Sequence, residues 1–543
     1  MPGFFKNKHK KSNTTNENQT QPPSEQDFPD SIDVRLSNNL DVIKNKTGNS
    51  FDVIIRNVSI GLQPKIQTAI VYIDGLVDSQ SIKDFLIESI IKSPDLQEKL
   101  IQQDPLEVIE DEALPFGSIR NAHDWVQLFS ALMDGETIIL VDGKTKVLVV
   151  DTRGGDRRSI EEPTSQVTVR GPRDGFTESI ITNTSLVRRR IKSPNLWVEA
   201  RKLGKVTNTD VAIMYINGIA NEKIVEEVRR RIDQIDVDSV LESGYIEQFI
   251  EDQTFTSFPT LYHTERPDTV SGNLLEGRIA IFVDGTPFVL IAPAVFIQFF
   301  QAVEDYYARF DIATALRFLR ILIFSISIIA PAAYIAATTF HQEMIPTQLL
   351  IAVAAQREAV PFPAFVEALI MEVTFEILRE AGIRMPRAVG SAISIVGALV
   401  IGQAAVQAGI VSPAMTIVVA MTAIASFATP SFAMAISARL VRFVFMIAAA
   451  TFGFYGIILG IIMLTIHLSG LRSFGVPYMT PMAPFILKEN ADTFFRLPWW
   501  ALKRRPQLIS EGNMVRVGKD QKPEPPIGRG MLKSTEEKGD QDE

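Results

Sequence analysis

From Ala388 to Ala438 the chain runs for 51 residues without one Asp, Glu, Lys or Arg. A single membrane crossing needs about 20 apolar residues. The run breaks near Gly409 and Ser412-Pro413, which divides it into two spans joined by a tight turn. Mean hydropathy is positive although 22% of the residues are charged. That average covers two unlike regions, because the first 300 residues have ordinary soluble composition. The expected fold class is an α/β soluble region of two duplicated subdomains, followed by an all-α polytopic membrane domain of about five or six segments.

The duplication is written in two pairs of lines. AIVYIDG (69–75) returns as AIMYING (212–218), and GETIILVDGKTKVLVV (135–150) returns as GRIAIFVDGTPFVLIA (277–292). Two matches at nearly one offset mark a repeated domain. The first line of each pair reads as a strand, a Gly turn and then a helix. The second reads as a β-hairpin, since Asp-Gly between apolar runs is a strong short-range hairpin signal and a type I′ turn needs positive φ at both central residues. Asp142-Gly143 and Asp284-Gly285 are therefore turn residues, not catalytic ones. GKT at 143–145 is no P-loop, because the required earlier glycine falls on Ile138.

The expected domains are a basic, polar, disordered tail over 1–30, a first α/β subdomain over 31–158, a charged connector over 159–200 and a second subdomain over 201–300. A membrane domain over 301–505 and a second polar, disordered tail over 506–543 complete the chain. The run Arg188-Arg189-Arg190 in the connector reads either as solvated surface or as a basic face for lipid phosphate or another subunit.

In the membrane half, Ile321 to Phe340 is twenty uncharged residues, preceded by Arg309, Arg317 and Arg320. The positive-inside rule puts that end, and the repeat, in the cytoplasm. Phe443 to Ile466 makes another span, preceded by Arg439 and Arg442. For Arg384 and Arg387 to lie inside, the segment 362–381 must cross, carrying Glu367, Glu372, Glu376 and Glu380. Ionisable groups at that depth cost about 2.5–3.5 kcal/mol each unless they meet water or partners. Helical spacing puts Glu372, Glu376 and Glu380 on one face, with Arg379 beside them, and Glu367 on the other with Thr374 one heptad on. A helix polar on both sides suits an aqueous pathway made by several copies about an axis. Val360 and Phe362 then stand at its apolar entrance. An interfacial helix on the bilayer surface is the competing reading. Five crossings leave the C-terminus outside, so 473–487 either re-enters or crosses.

With no cysteine and only five scattered histidines, thiolate chemistry and Cys-ligated metals are excluded. No nucleophile elbow or dinucleotide fingerprint is present, so an enzyme is not expected, nor any cofactor or metal. A net charge of −9 does not suit nucleic acid.

The connector RSIEEPTSQVTVRGPRDGFTESIITNTSLVRRRI, the stretch EGRIAIFVDGTPFVLIAPAVFIQFFQAVEDYY and the block PTQLLIAVAAQREAVPFPAFVEALIMEVTFEILREAGIRMP resemble the A subunit of GerA-type spore germination receptors over roughly residues 50–505. The resemblance implies a place in the inner membrane of the dormant spore, with the soluble region on the core side. It implies a transporter-like B subunit that binds the nutrient and a lipoprotein C subunit as partners. It further implies a homo-oligomer releasing monovalent cations, and two soluble subdomains of thioredoxin-like or binding-protein-like type. The resulting expectation is a nutrient-gated cation channel lined by Val360, Phe362, Glu367, Glu372, Thr374, Glu376 and Glu380. A secondary transporter or a membrane-anchored signalling scaffold are the alternatives.

Overall fold

The computed structural model describes residues 29, 31–60, 65–78, 80, 82, 104–113, 118–155, 162–163, 166–384, 402–487, 489–510, 512–518 and 521–523. The expected N-terminal tail lies outside them except for Pro29. So does most of the first copy's predicted helix after Leu76, and so does the first of the two spans in the uncharged run up to residue 401.

The first copy comprises α1 (Leu36–Lys46), β1 (Val53–Ile60), β2 (Ile66–Ile73), α2 (Pro105–Ala113), β3 (Ile119–Ala122), α3 (Trp125–Met133), β4 (Thr137–Val141) and β5 (Val147–Val150). The second repeats the series with one more described helix: α4 (Ile180–Arg188), β6 (Leu196–Leu203), β7 (Thr209–Ile216), α5 (Glu222–Asp233), α6 (Ser243–Ile250), β8 (Tyr262–Thr264), α7 (Pro267–Leu275), β9 (Ile279–Val283) and β10 (Val289–Ala292). The sheets have matching orders, β1-β2-β4-β5-β3 and β6-β7-β9-β10-β8. Every pair is antiparallel. A thioredoxin-like sheet would contain parallel pairs, so that expectation is corrected.

Helices cover both faces of each sheet. In the first copy Val71, Leu140 and Val149 pack under α1 and α3, while Tyr72, Ile139 and Val150 pack under α2. With both faces buried, the central strands read as continuous apolar runs instead of alternating ones. The Asp-Gly pairs do sit between β4 and β5 and between β9 and β10, but the connections span 142–146 and 284–288. Only the glycine is left-handed, with φ +84 at Gly143 and +88 at Gly285, so the turn is not type I′. The aspartates have a capping use: Asp142 accepts from the Leu36 amide at 2.9 Å and Asp284 from the Ile180 amide at 3.0 Å. Each hairpin thus tethers the first helix of its own copy.

The stretch read as a connector carries α4 and most of β6, so the second copy begins near Ser179. Its charges are used internally. Arg188 is 1% exposed and forms a two-point pair with the 3%-exposed Asp52 of the first copy, at 2.7 and 2.9 Å. Arg189 donates to the carbonyl of Gly154 at 3.2 Å, and Arg190 holds Asp174. Trp197 of β6 lies on the first copy, its indole donating to the Lys46 carbonyl at 3.1 Å. A Cβ at Gly48 would stand 2.1 Å from that ring, so the position accepts only glycine. Asp52 corresponds to Asn195 on the matching strand and Arg188 to Lys44 on the matching helix, so the acid of the clamp is not repeated.

The second copy shares its core with the helices. Residues from β9, Phe299 and Phe300 join Phe324 and Ile328 of α8 (Phe310–Thr339) in one cluster. Arg317 of α8 is 1% exposed and bonds Asp305 and Asp492, and Arg320 also bonds Asp305. After α8 come α9 (Thr347–Arg357), α10 (Ala364–Arg384), α11 (Gly402–Gln407), α12 (Pro413–Phe427) and α13 (Phe432–Gly470). Ser412 caps α12, as the Ser-Pro break in the sequence suggests.

Among the described residues two helices, α8 and α13, are long and apolar enough to cross a membrane. α13 is not one rod. Gly453 has φ +61 and ψ −142, a conformation open to glycine alone. The chain reverses there: a Cβ on Gly460 would meet the Phe445 ring at 3.1 Å, so the second arm lies along the first. Both ends reach one loop, Ser437 donating to the Ser257 carbonyl and His467 bonding Thr256 at 3.0 Å. The expected single span 443–466 is therefore a helical hairpin. The segment after it has no need to cross. Ser473 bonds the Thr260 carbonyl at 2.6 Å and Phe296 donates to the Tyr478 carbonyl at 2.8 Å, which places 473–478 against the second copy.

The expected disordered tail from 506 is also corrected for the described residues up to 518. The Arg505 amide donates to the Met514 carbonyl, Ile509 is 1% exposed, and Arg516 pairs with Glu276. This strap closes over the Gly218 turn, the second copy's counterpart of the Gly75 turn that α4 covers in the first.

Candidate functional site

α10 is the acidic helix anticipated from the sequence, and it runs antiparallel to the first arm of α13. Two ion pairs join them. Glu372, 5% exposed, takes a 2.5 Å bond from Arg442, whose Nε also donates to the Ser327 carbonyl of α8 at 2.6 Å. One turn on, Glu376 pairs with Arg439 and lies 3.5 Å from Arg379. Arg379 donates to Ser426 of α12 at 2.7 Å and stacks over Phe427. Among the described residues Glu380 pairs with Arg384 on its own helix, at 2.6 Å, and stays exposed.

Glu367 faces elsewhere, as its spacing requires. It is fully buried and accepts from the Ser412 amide at 3.1 Å and hydroxyl at 2.8 Å. A carboxylate at a helix N-terminus is favoured by the exposed amides and the dipole. Arg357 of α9 approaches its other oxygen at 3.5 Å. Thr374 turns its hydroxyl back onto the Ile370 carbonyl at 2.7 Å.

The anticipated lining residues are thus divided. Glu367 and Glu372 lie inside the helix packing of one chain. Glu376 and Glu380 border an open groove with Val373, Ile377, Arg384 and Phe443. Val360 is half-buried and Phe362 is 39% exposed, in the turn leading into α10. Sequence reasoning missed the acceptance of Glu372 and Glu376 by Arg442 and Arg439, which it took as flanking positive charge. The signal was available, since carboxylates at i and i+4 on one helix match arginines at i and i+3 on another running the opposite way.

Outward of these pairs the helices are apolar. Ile417 and Ile424 on α12, and Val444, Ile458 and Ile466 on α13, are each more than half exposed.

Residues 41–508 match the model of the Bacillus/Clostridium GerA spore germination protein family. The chain belongs to the GerA family. It is 62% identical to spore germination protein KA of Bacillus subtilis (strain 168) over 518 residues, covering 95% of this chain and 94% of that one. It is 40% identical to spore germination protein GerLA of Bacillus cereus, covering 86% and 94%. The crystal structure of the N-terminal domain of the A subunit of the Bacillus megaterium spore germinant receptor GerK3 is 51% identical, with a TM-score of 0.41, and covers 50% of this chain and all of that one. This GerA protein therefore shares nearly its whole length with the first of these relatives, and the family match spans α10.

Proposed function

We propose that this GerA protein is the membrane subunit of a nutrient-sensing spore germination receptor, and that several copies gather into a nutrient-gated cation channel. Five passes are taken by α8, α10, α12 and the two arms of α13; a sixth, expected from the uncharged sequence run between α10 and α12, falls mostly outside the described residues. Six passes return the C-terminal strap to the side of the α/β repeat, where it docks, and that side is the spore core. The partners are a transporter-like B subunit and a lipoprotein C subunit, and monovalent cations are the permeant ions.

One observation carries the reading. α10 presents Val373, Glu376, Ile377 and Glu380 along an open groove, where the Glu376 side chain is 45% and the Glu380 side chain 59% exposed even with Arg439 and Arg384 beside them, while Glu367 and Glu372 are buried against Arg357, Ser412 and Arg442. An acidic face left open to solvent although its carboxylates have arginine neighbours is what a ring of copies would turn toward a wet axis. Glu376 and Glu380 are then the rings of charge, with Thr374 beside them and Val360 and Phe362 at the constriction. Glu367 and Glu372 fix the helix in register from behind.

The test is cation flux through liposomes containing the purified full-length chain. Glu376→Gln and Glu380→Gln lower conductance or cation preference, and Val360→Ala changes gating. Flux that ignores all three substitutions sinks the channel reading and leaves a scaffold. Saturable flux coupled to a substrate points to a transporter.

A further inference from the structure

The second copy carries large apolar side chains where a soluble surface would not. Leu241 is 63% exposed, Tyr245 43%, Phe249 55% and Phe255 95%. Tyr245 and Phe249 sit four residues apart on the outer face of α6, while Ile246 and Ile250 on its inner face are fully buried. α6 is thus an amphipathic helix whose second face is aromatic as well as polar. Phe255 follows in the loop that holds α13, since the next residues, Thr256 and Ser257, bond His467 and Ser437.

The level of that loop along the helices follows from the same contacts. Arg442 is bonded to Ser327 of α8. Ser437 is five residues nearer the repeat, about 7 Å of helix rise. The loop therefore stands level with the start of the uncharged stretch 321–340. Ile466 and Met463, 67% and 64% exposed, continue the apolar surface along α13 away from the loop. Beside Phe249, the exposed Arg472 and Arg230 border a cleft of about 490 Å³ with Glu251 and Gly470. Aromatic rings flanked by arginines at the mouth of an apolar helix are the composition of a membrane–water interface.

We propose that Leu241, Tyr245, Phe249 and Phe255 form a lipid-docking edge, by which the second α/β copy lies in the headgroup and upper acyl region of the leaflet its helices enter. This rests on the membrane reading of α8 and α13 given above. Burial makes two carboxyls of this region, Glu247 and Glu251, weaker acids. Glu247 is pushed up to about 7 by burial and by the neighbouring Glu251 and Glu242. From α5, Arg231 is committed to Glu227 and Asp252, and from the β9–β10 hairpin Thr286 donates to Glu242. A lipid surface fits better than a second protein because Phe255 adjoins the loop residues that hold both ends of α13, whose exposed side chains Met463 and Ile466 are apolar.

The chain has no cysteine, so a single introduced cysteine carries a spin label without background. The full-length chain in liposomes is labelled singly at Phe249→Cys, Phe255→Cys and Tyr245→Cys. Ile466→Cys serves as the reference for lipid and Val206→Cys, 77% exposed on the β6–β7 turn, as the reference for water. The readout is the ratio of collisions with oxygen to collisions with a water-soluble nickel chelate. At 249 and 255 it is expected about tenfold above that at 206 and near that at 466, because an apolar phase excludes the polar chelate. A water-like ratio at 249 and 255 with a lipid-like ratio at 466 overturns the docking edge and leaves the membrane reading standing. A water-like ratio at 466 overturns both. Exclusion of both probes at 249 and 255 marks a protein neighbour, a second copy or another subunit, and also overturns the proposal.

Discussion

Asp52→Asn is the substitution whose cost the structure defines best. Arg188 is 1% exposed, its Nη1 is buried without a hydrogen-bond partner, and its bonds at 2.7 and 2.9 Å both go to Asp52. Removing the carboxylate charge strands a guanidinium between the two copies. Breaking one partner of a buried pair costs about 3–5 kcal/mol, whereas replacing both by apolar groups is often neutral. At about 1.4 kcal/mol per tenfold, the low end is roughly a 100-fold shift in the opening equilibrium of the interface. Two amides report that opening, Phe51 donating to the Val198 carbonyl at 3.1 Å and Val198 donating to Ser50 Oγ at 3.0 Å. Hydrogen exchange of the full-length chain in detergent should show both amides losing about two orders of magnitude of protection in Asp52→Asn, and as much in Arg188→Met. The double variant Asp52→Leu with Arg188→Met should regain most of it. Equal exchange in the parent and both single variants, or a double variant no better than the sum of the two losses, refutes the clamp.

Gly453→Ala should destabilise the helical part by about 2 kcal/mol or more through its forbidden backbone geometry alone. Its Cβ would also stand 2.6 Å from the His341 ring, so adding His341→Ala should recover part of the thermal stability but not all. Arg442→Gln leaves Glu372 buried and alone, so it should lower the melting temperature of the purified chain, and Glu372→Gln in the same chain should restore most of the loss. Glu247 carries a pH effect. Its folded value of about 7 exceeds the ordinary 4.5, so its stabilising contribution is complete below about pH 4.5 and is lost as pH rises toward 7. Glu247→Gln should flatten stability over that window in denaturant titrations and add about 1–2 kcal/mol near pH 8, a discounted figure because the side chain is partly in water.

The repeat was legible because equivalent strands kept their apolar residues at one offset, and buried strands tolerate little else. The first strand of each copy was not. β6 reads LWVEARKL, and its solvent-facing charges made an edge strand look like linker. Arg188 was opaque for a related reason: a residue type usually found on the surface is buried here by an aspartate 136 positions away. The acidic helix could be found from charge alone, because four carboxylates in an apolar context require a cause. Its partners required a spacing match between two helices 70 residues apart. The reversal at Gly453 left no trace in hydropathy, because the chain is uncharged on both sides of it from Phe443 to Ile466 and so resembles one crossing.

The unrepeated clamp bears on how the duplication ended. A domain that copies both halves of its own junction can stack on its neighbour without limit, within one polypeptide or between separate ones. Here the acid that receives the guanidinium occurs once: the second copy has Asn195 at the position of Asp52, although the first has Lys44 at the position of Arg188. The free flank of the second unit is moreover occupied by the strap around Ile509 to Gly512. The pair is a closed dyad, so any larger assembly of this chain has to use a surface other than the one that joins its two halves.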